Sequence, residues 1–213
     1  MGSHAGISVG PDGGTHQAIE DIALMRVLTN MVVISPCDAI EAKKATMALA
    51  KAGKPAYIRL AREKTPIMTS EKTPFEIGKA EVFWKPESEK IDCLVVATGA
   101  LVFKAIKVAS KLLRDDINIA VINLATIKPL DRQTILEWAK KAGAVVTVEE
   151  HQTAGGAGGA VSEFLAENFP VPMEFIGIKN KFGQSGTPEE LIEHYFMGES
   201  HIEEAVKKVI KRK

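Results

Sequence analysis

Short apolar runs alternate with stretches of helical periodicity along most of this sequence, and that alternation limits the possible folds more than any other feature. Cys93-Leu94-Val95-Val96-Ala97 and Ala144-Val145-Val146-Thr147-Val148 are apolar almost without interruption, the pattern of strands buried on both faces. Around them the spacing predicts strands over 81–84, 117–124 and 173–176 and helices over 100–113, 131–142, 158–169, 188–196 and 199–210. Nearer the start, Ile19, Ile22, Ala23 and Leu24 fall at helical spacing, Met31–Ile34 reads as a buried strand and Ala56–Leu60 as another. Between those two strands lies an Ala-rich helix reaching about Ala52, with Asp38 as N-cap and Glu41 completing a capping box. Strand followed repeatedly by helix implies right-handed crossovers and mostly parallel sheets covered by helices. The expected class is therefore α/β. Glu63 to Phe75, with Pro66 and Pro74, reads as a linker, which divides the chain into units 1–72 and 73–213.

Composition removes several alternatives. Across 213 residues, 27 Lys and Arg balance 27 Asp and Glu, so the basic footprint that nucleic-acid backbones demand is missing and no nucleic-acid partner is expected. The longest nearly apolar run, Cys93 to Phe103, is broken by Thr98 and Gly99 and is shorter than the roughly 18 residues of a membrane span, so no membrane role is expected. Met1 to His4 carry neither the basic region nor the apolar stretch of a secretory signal, and the two cysteines, Cys37 and Cys93, are far apart. The expected location is the reducing cytoplasm.

Three segments hold residues suited to chemistry. Gly155-Gly156-Ala157-Gly158-Gly159 lies between a strand and a helix, where backbone N–H groups can bind phosphate. It imitates the dinucleotide fingerprint only loosely, and tight packing of small residues on the sheet or on a second subunit is the favoured reading. Glu149-Glu150-His151 is either an acid/base cluster or an exposed hydrogen-bonded loop, of which the loop is favoured. The segment His4 to Gln17 is rich in glycine and carries His4, Asp12 and His16, groups able to bind hydroxyls or move protons near neutral pH. By composition alone, a Gly-rich loop with solvated polar residues is the narrowly favoured account.

Several motifs in order along the chain carry a resemblance. Asp12-Gly13-Gly14-Thr15-His16-Gln17, Pro36-Cys37-Asp38 and Leu60-Ala61-Arg62 resemble the latter part of the pyrimidine-binding domain of transketolases. Ile127-Lys128-Pro129-Leu130-Asp131, Val148-Glu149-Glu150-His151 with its glycines, and Phe182-Gly183-Gln184-Ser185-Gly186-Thr187-Pro188 look like that family's C-terminal domain. The neighbouring deoxyxylulose-phosphate synthases usually have His where this chain has Gln17.

The resemblance implies two three-layer α/β units with mostly parallel sheets, the first incomplete: 1–72 as a partial pyrimidine-binding domain and 73–213 as the C-terminal domain. It implies transfer of a two-carbon ketol unit between sugar phosphates, as in the pentose phosphate pathway, using thiamine diphosphate and Mg2+ or Ca2+. His16 would be the catalytic residue, orienting the donor and assisting proton transfer. Asp12 would accept a hydrogen bond from a sugar hydroxyl, and Arg62 would clamp the substrate phosphate with His4 assisting; Arg59 is a weaker clamp. The family's Gly-Asp-Gly metal motif, its activating glutamate and the aromatics that stack on the aminopyrimidine have no counterpart here. The chain is thus expected to be a C-terminal section that binds no coenzyme and is inactive alone, needing an N-terminal section or subunit as partner. Open sheet edges left by the missing half predict a homodimer. The competing readings are a non-catalytic assembly module and a fragment of a 2-oxoacid dehydrogenase beta-type subunit.

Overall fold

The computed structural model describes residues 1–213. In chain order its elements are α1 (Asp21–Val27), β1 (Val32–Ile34), α2 (Ala39–Ala52), β2 (Ala56–Ile58), β3 (Glu81–Trp84), β4 (Cys93–Ala97), α3 (Val102–Leu112), β5 (Ile119–Asn123), β6 (Thr126–Lys128), α4 (Arg132–Ala142), β7 (Val145–Gln152), α5 (Ala157–Asn168), β8 (Met173–Ile178), α6 (Pro188–His194) and α7 (Glu199–Ile210). They build two sheets: one of three strands in the order β2-β1-β6, and one of five in the order β3-β5-β4-β7-β8. In the larger sheet every pairing is parallel except that of β3 with β5.

The apolar runs behave as strands covered on both faces. Along β4, Cys93, Val95 and Ala97 join Val102, Val108, Ile202 and Val206 of α3 and α7 in one core. Leu94 and Val96 face the other way, into a core with Ile135 of α4 and Val161 and Phe164 of α5. Successive side chains of a strand alternate between faces, so a strand between two helical layers must be apolar at every position. Both cores reach into the first unit: Ile7, Ile19 and Cys37 belong to the former, Ile22 and Val33 to the latter. The helix over 19–24 in the sequence reading begins at Asp21, because Ile19 lies in the bend before it with its side chain buried in the core.

Two features lay outside the sequence pattern. β6 comes from beyond residue 73 yet pairs antiparallel with β1, so the small sheet is half parallel and half antiparallel. Three residues are too few to display a period. The linker is also tied down. Asp38 caps α2 through Glu41 N at 2.8 Å, and its other oxygen accepts from Met68 N at 2.7 Å and Thr69 N at 2.6 Å. Glu41 completes the cap differently from a standard box: its carboxylate accepts from Cys37 N, 2.7 Å away, and from Asn123 Nδ2 at 2.8 Å, which joins α2 to β5.

Asp38 thus satisfies three backbone donors and the Thr69 hydroxyl. Asp38→Ala should cost about 2–4 kcal/mol, more than loss of a simple cap, because it leaves partly or wholly buried N–H groups without partners. Urea unfolding checks this; a cost below about 1 kcal/mol would show that the linker is not held through Asp38.

Candidate functional site

The Gly-rich segment near the amino end is a closed loop. Ala5 and Ala18 are bridged, with Gly6 N donating to Ala18 O at 2.8 Å. Ile7 and Val9 are fully buried, and Gln17 donates to Ile7 O at 3.0 Å and to Gln184 O at 2.9 Å. Gln17 therefore fastens the loop to the segment Phe182–Pro188, so two stretches far apart in sequence meet. Gly6 has φ +90° and a Cβ there would stand 2.3 Å from Glu150 Oε2, so no side chain fits.

The base of the loop is buried and its tip faces solvent: Asp12, Thr15 and His16 are exposed. Arg62, immediately after the strand-like stretch that follows β2, meets the tip. Its Nη1 donates to Val9 O at 2.7 Å and lies 3.4 Å from Asp12 Oδ2. Nε and Nη2 of Arg62 make no hydrogen bond within the chain, which leaves an edge of the guanidinium fork open. His16 lies on the same tip, its Nδ1 3.0 Å from Thr15 Oγ1 and its backbone N–H on Gly13 O. It forms no ion pair with Asp12. His4 stands at the base, with φ +60° and Nδ1 3.2 Å from Ser3 Oγ. The structure thus brings Asp12 and Arg62 together, sets His16 on the same exposed tip, and puts His4 at the loop's foot.

Arg59 is buried in a structural role. Its Nε meets Asp21 Oδ2 at 2.8 Å, where Tyr57 also donates, and Nη2 donates to Ala18 O and Glu150 O.

The reading of Glu149-Glu150-His151 as an exposed loop needs correction. All three are buried, because β7 continues to Gln152 and its carboxyl end meets helix termini and the Gly-rich loop. Glu149 accepts from Ala157 N at 2.7 Å and Gly158 N at 2.9 Å, the unpaired donors that open α5. Burial pushes its carboxyl up to about 7 in spite of those two bonds. Glu150 Oε2 accepts from Ser8 N at 3.1 Å and Ser8 Oγ at 2.7 Å. His151 Nε2 accepts from Ile22 N at 3.1 Å at the start of α1, so the proton sits on Nδ1, 2.6 Å from Gln152 O. Burial, with the Arg59 charge beside it, holds the imidazole below its ordinary value. No feature of the sequence marks these partners, since each acceptor's donors lie remote along the chain or beyond a glycine turn.

Because Glu149 takes the first N–H groups of α5, that helix start offers no phosphate site. The glycines serve packing instead: a Cβ on Gly158 would come within 2.5 Å of Thr147 Oγ1 and 3.0 Å of Phe175. Burial and the nearby Glu41 carboxylate push the Cys37 thiol far up, and burial does the same for Cys93, so neither is a nucleophile. No three His, Cys, Asp or Glu side chains are grouped to hold a metal ion. No helix is long and apolar enough to cross a membrane.

Fold and site together make this a two-unit α/β protein whose glycine loop carries an imidazole and a carboxylate, the latter paired with an arginine. The chain belongs to the transketolase family: residues 83–202 match the model of the transketolase C-terminal domain, and residues 1–68 that of the transketolase pyrimidine binding domain. It is 38% identical over 215 residues to a Methanocaldococcus jannaschii protein named as a transketolase C-terminal section, covering 100% of this chain and 66% of that one. It is 36% identical to a 6-deoxy-6-sulfo-D-fructose transketolase subunit of a Clostridium species, covering 65% of it. Among solved structures, a split-gene transketolase described as an inactive β4 tetramer superposes with a TM-score of 0.89 at 39% identity, with 98% of this chain and 65% of that one covered. The chain therefore spans about two thirds of the length of these relatives.

The two shifted groups on β7 oppose each other with pH. Glu149 is raised from 4.5 to about 7, so the folded state retains its proton longer than the unfolded chain. Its contribution is fully present below about 4.5 and falls as pH rises to about 7, by up to about 3 kcal/mol. His151 is lowered, so its contribution is present above about 6.5 and is lost as pH falls. Glu149→Gln should therefore gain stability relative to the parent chain between pH 5 and 7.5 in urea titrations. A difference that does not change with pH would mean that the Glu149 carboxyl titrates normally.

Proposed function

We propose that this chain is the substrate-side, C-terminal section of a two-polypeptide transketolase that transfers a two-carbon ketol group between sugar phosphates. The observation that carries the reading is the loop tip, where Asp12 and Arg62 are paired and His16 stands exposed on the same turn. An N-terminal section would hold thiamine diphosphate and its Mg2+ or Ca2+, and the coenzyme would supply the carbanion chemistry. The chain alone is inactive in this reading, and the split-gene relative is likewise described as an inactive β4 tetramer.

Within the loop, Asp12 holds one nitrogen of Arg62 and keeps an oxygen for a sugar hydroxyl. The free Nε and Nη2 edge of Arg62 suits two oxygens of a phosphate, a bidentate pairing that lysine cannot reproduce. His16, exposed and unpaired with any carboxylate, orients the donor's hydroxyl and carbonyl region and carries a proton. His4, at the foot of the loop, assists on the phosphate side. The half-bare helix α1, with Leu24, Val27 and Leu28 exposed, supports self-association, as does the tetramer of the split-gene relative.

The test mixes this chain with a candidate N-terminal section, thiamine diphosphate and magnesium in a coupled assay. Activity should require both polypeptides and fall about 10²-fold or more in His16→Ala. Activity that is untouched by that substitution would remove His16 from the mechanism. Arg62→Ala should raise KM for a phosphorylated donor by about 10- to 100-fold, the worth of a charge-assisted pair. If KM for an unphosphorylated analogue rises equally, Arg62 does not hold phosphate.

A further inference from the structure

We infer that Glu150, supplied by the second unit, is a positioning residue for the loop that carries Asp12 and His16. This rests on the donor-binding role proposed above for that loop, and gives the C-terminal domain a part in it. Glu150 sits at the carboxyl end of β7, 5% exposed, and its single oxygen Oε2 accepts both the N–H and the hydroxyl of Ser8. Its backbone carbonyl receives Arg59 Nη2 at 2.7 Å, and that same nitrogen donates to Ala18 O at 3.1 Å. One residue therefore grips the loop twice, at Ser8 near its start and, through Arg59, at the end that closes it.

The grip has no slack. Gly6 lies so close to the Glu150 carboxylate that any side chain there would displace it. Beyond Val9 the loop is held from the other side: Gly10, Gly13 and Gly14 lie against Pro188, Ser185 and Gly183, Arg62 reaches Val9 O and Asp12, and Gly13 N and His16 N bond back within the tip. The direction in which His16 and Asp12 face is thus set by Ser8 on Glu150 at the base and by Gln17 and the loop glycines against residues 183–188. Glu150 does not touch the tip and acts on it only through Ser8 and Arg59. Of the two anchors, Glu150 holds a buried backbone N–H that has no other partner, so its removal leaves that donor unpaired.

The experiment compares Glu150→Ala and Glu150→Gln in the full chain by amide hydrogen exchange and by the His16 imidazole NMR signal. Since both Ser8 bonds end on one oxygen, the amide oxygen of Gln can replace it. Glu150→Ala should speed exchange across residues 6–17 by about tenfold or more while β4 and β5 stay protected, and should shift the His16 signal toward that of a free imidazole. Glu150→Gln should match the parent chain. In the enzyme reconstituted with an N-terminal section, the Ala variant should raise donor KM more than it lowers kcat, and Gln should restore both. Unchanged exchange in Glu150→Ala, or equal loss in both variants, would overturn the inference. Should Glu150→Ala not fold, Ser8→Ala removes one of the two bonds and should raise exchange of the same segment partway; no rise there refutes the role. If exchange responds as expected but the reconstituted parent shows no ketol transfer, the positioning stands and the catalytic reading falls.

Discussion

Three consecutive titratable residues, Glu149, Glu150 and His151, are buried at the end of β7, and two of them, Glu150 and His151, tie the second unit to the first through their partners. A buried ionisable group is costly unless hydrogen bonds replace the water it loses. Here the replacements come from three different places: the start of α5 for Glu149, Ser8 for Glu150 and the start of α1 for His151. Helix starts are rich in unpaired N–H groups, so they are the cheapest donors a fold can bring to such a strand end. The cost of burying these residues is met only when the helices and the loop are in place, which makes the first unit's approach specific rather than merely apolar.

That arrangement explains how a loop with so many glycines can still present side chains in a fixed direction. Glycine raises the entropy lost on ordering, and a free loop of this composition would sample many shapes. The base is instead stitched at Ala5–Ala18, Ser8–Glu150 and Gln17–Gln184, while Ile7 and Val9 are sunk in the cores. The exposed tip then inherits its orientation from a rigid frame, as precise sites generally do. The second unit, which supplies neither His16 nor Asp12, thus helps decide where they point, through Glu150 below and Gly183, Ser185 and Pro188 beside the tip.

Much of the fold was legible because burial on both faces writes itself into sequence: β4, most of β5 and the first half of β7 are continuous apolar runs, and the helices between them carry their spacing openly. Caps were legible where donor and acceptor are three residues apart, as in Asp38 with Glu41 N or Asp131 with Thr134 N. β6 was not, because three residues show no period. Nor was the burial of Glu149, Glu150 and His151, since charge normally marks a surface and their partners are set by tertiary contact. The same cause hid the role of Ser8. For the candidate site, the residue types were legible by resemblance, whereas the pairing of Asp12 with Arg62 required coordinates.

That pairing bears on how the site could bind an anion without any metal held by this chain. A lone arginine on a surface loses side-chain freedom when it clamps a phosphate, a cost on the order of 0.5–1.5 kcal/mol for each flexible side chain fixed. Arg62 is already fixed through Val9 O and Asp12, using one nitrogen and leaving the rest of the fork free. Asp12 takes away some positive charge, but at 3.4 Å and with both side chains about one-third exposed, solvent screens much of that attraction. What remains is geometry: a guanidinium held at a set angle against Val9 O and Asp12, on a loop whose own position is fixed by its neighbours. Preorganisation of this kind favours a rigid, bidentate ligand over a flexible or singly charged one, so in the proposed phosphate role the open edge of Arg62 would matter more to selectivity than its net charge.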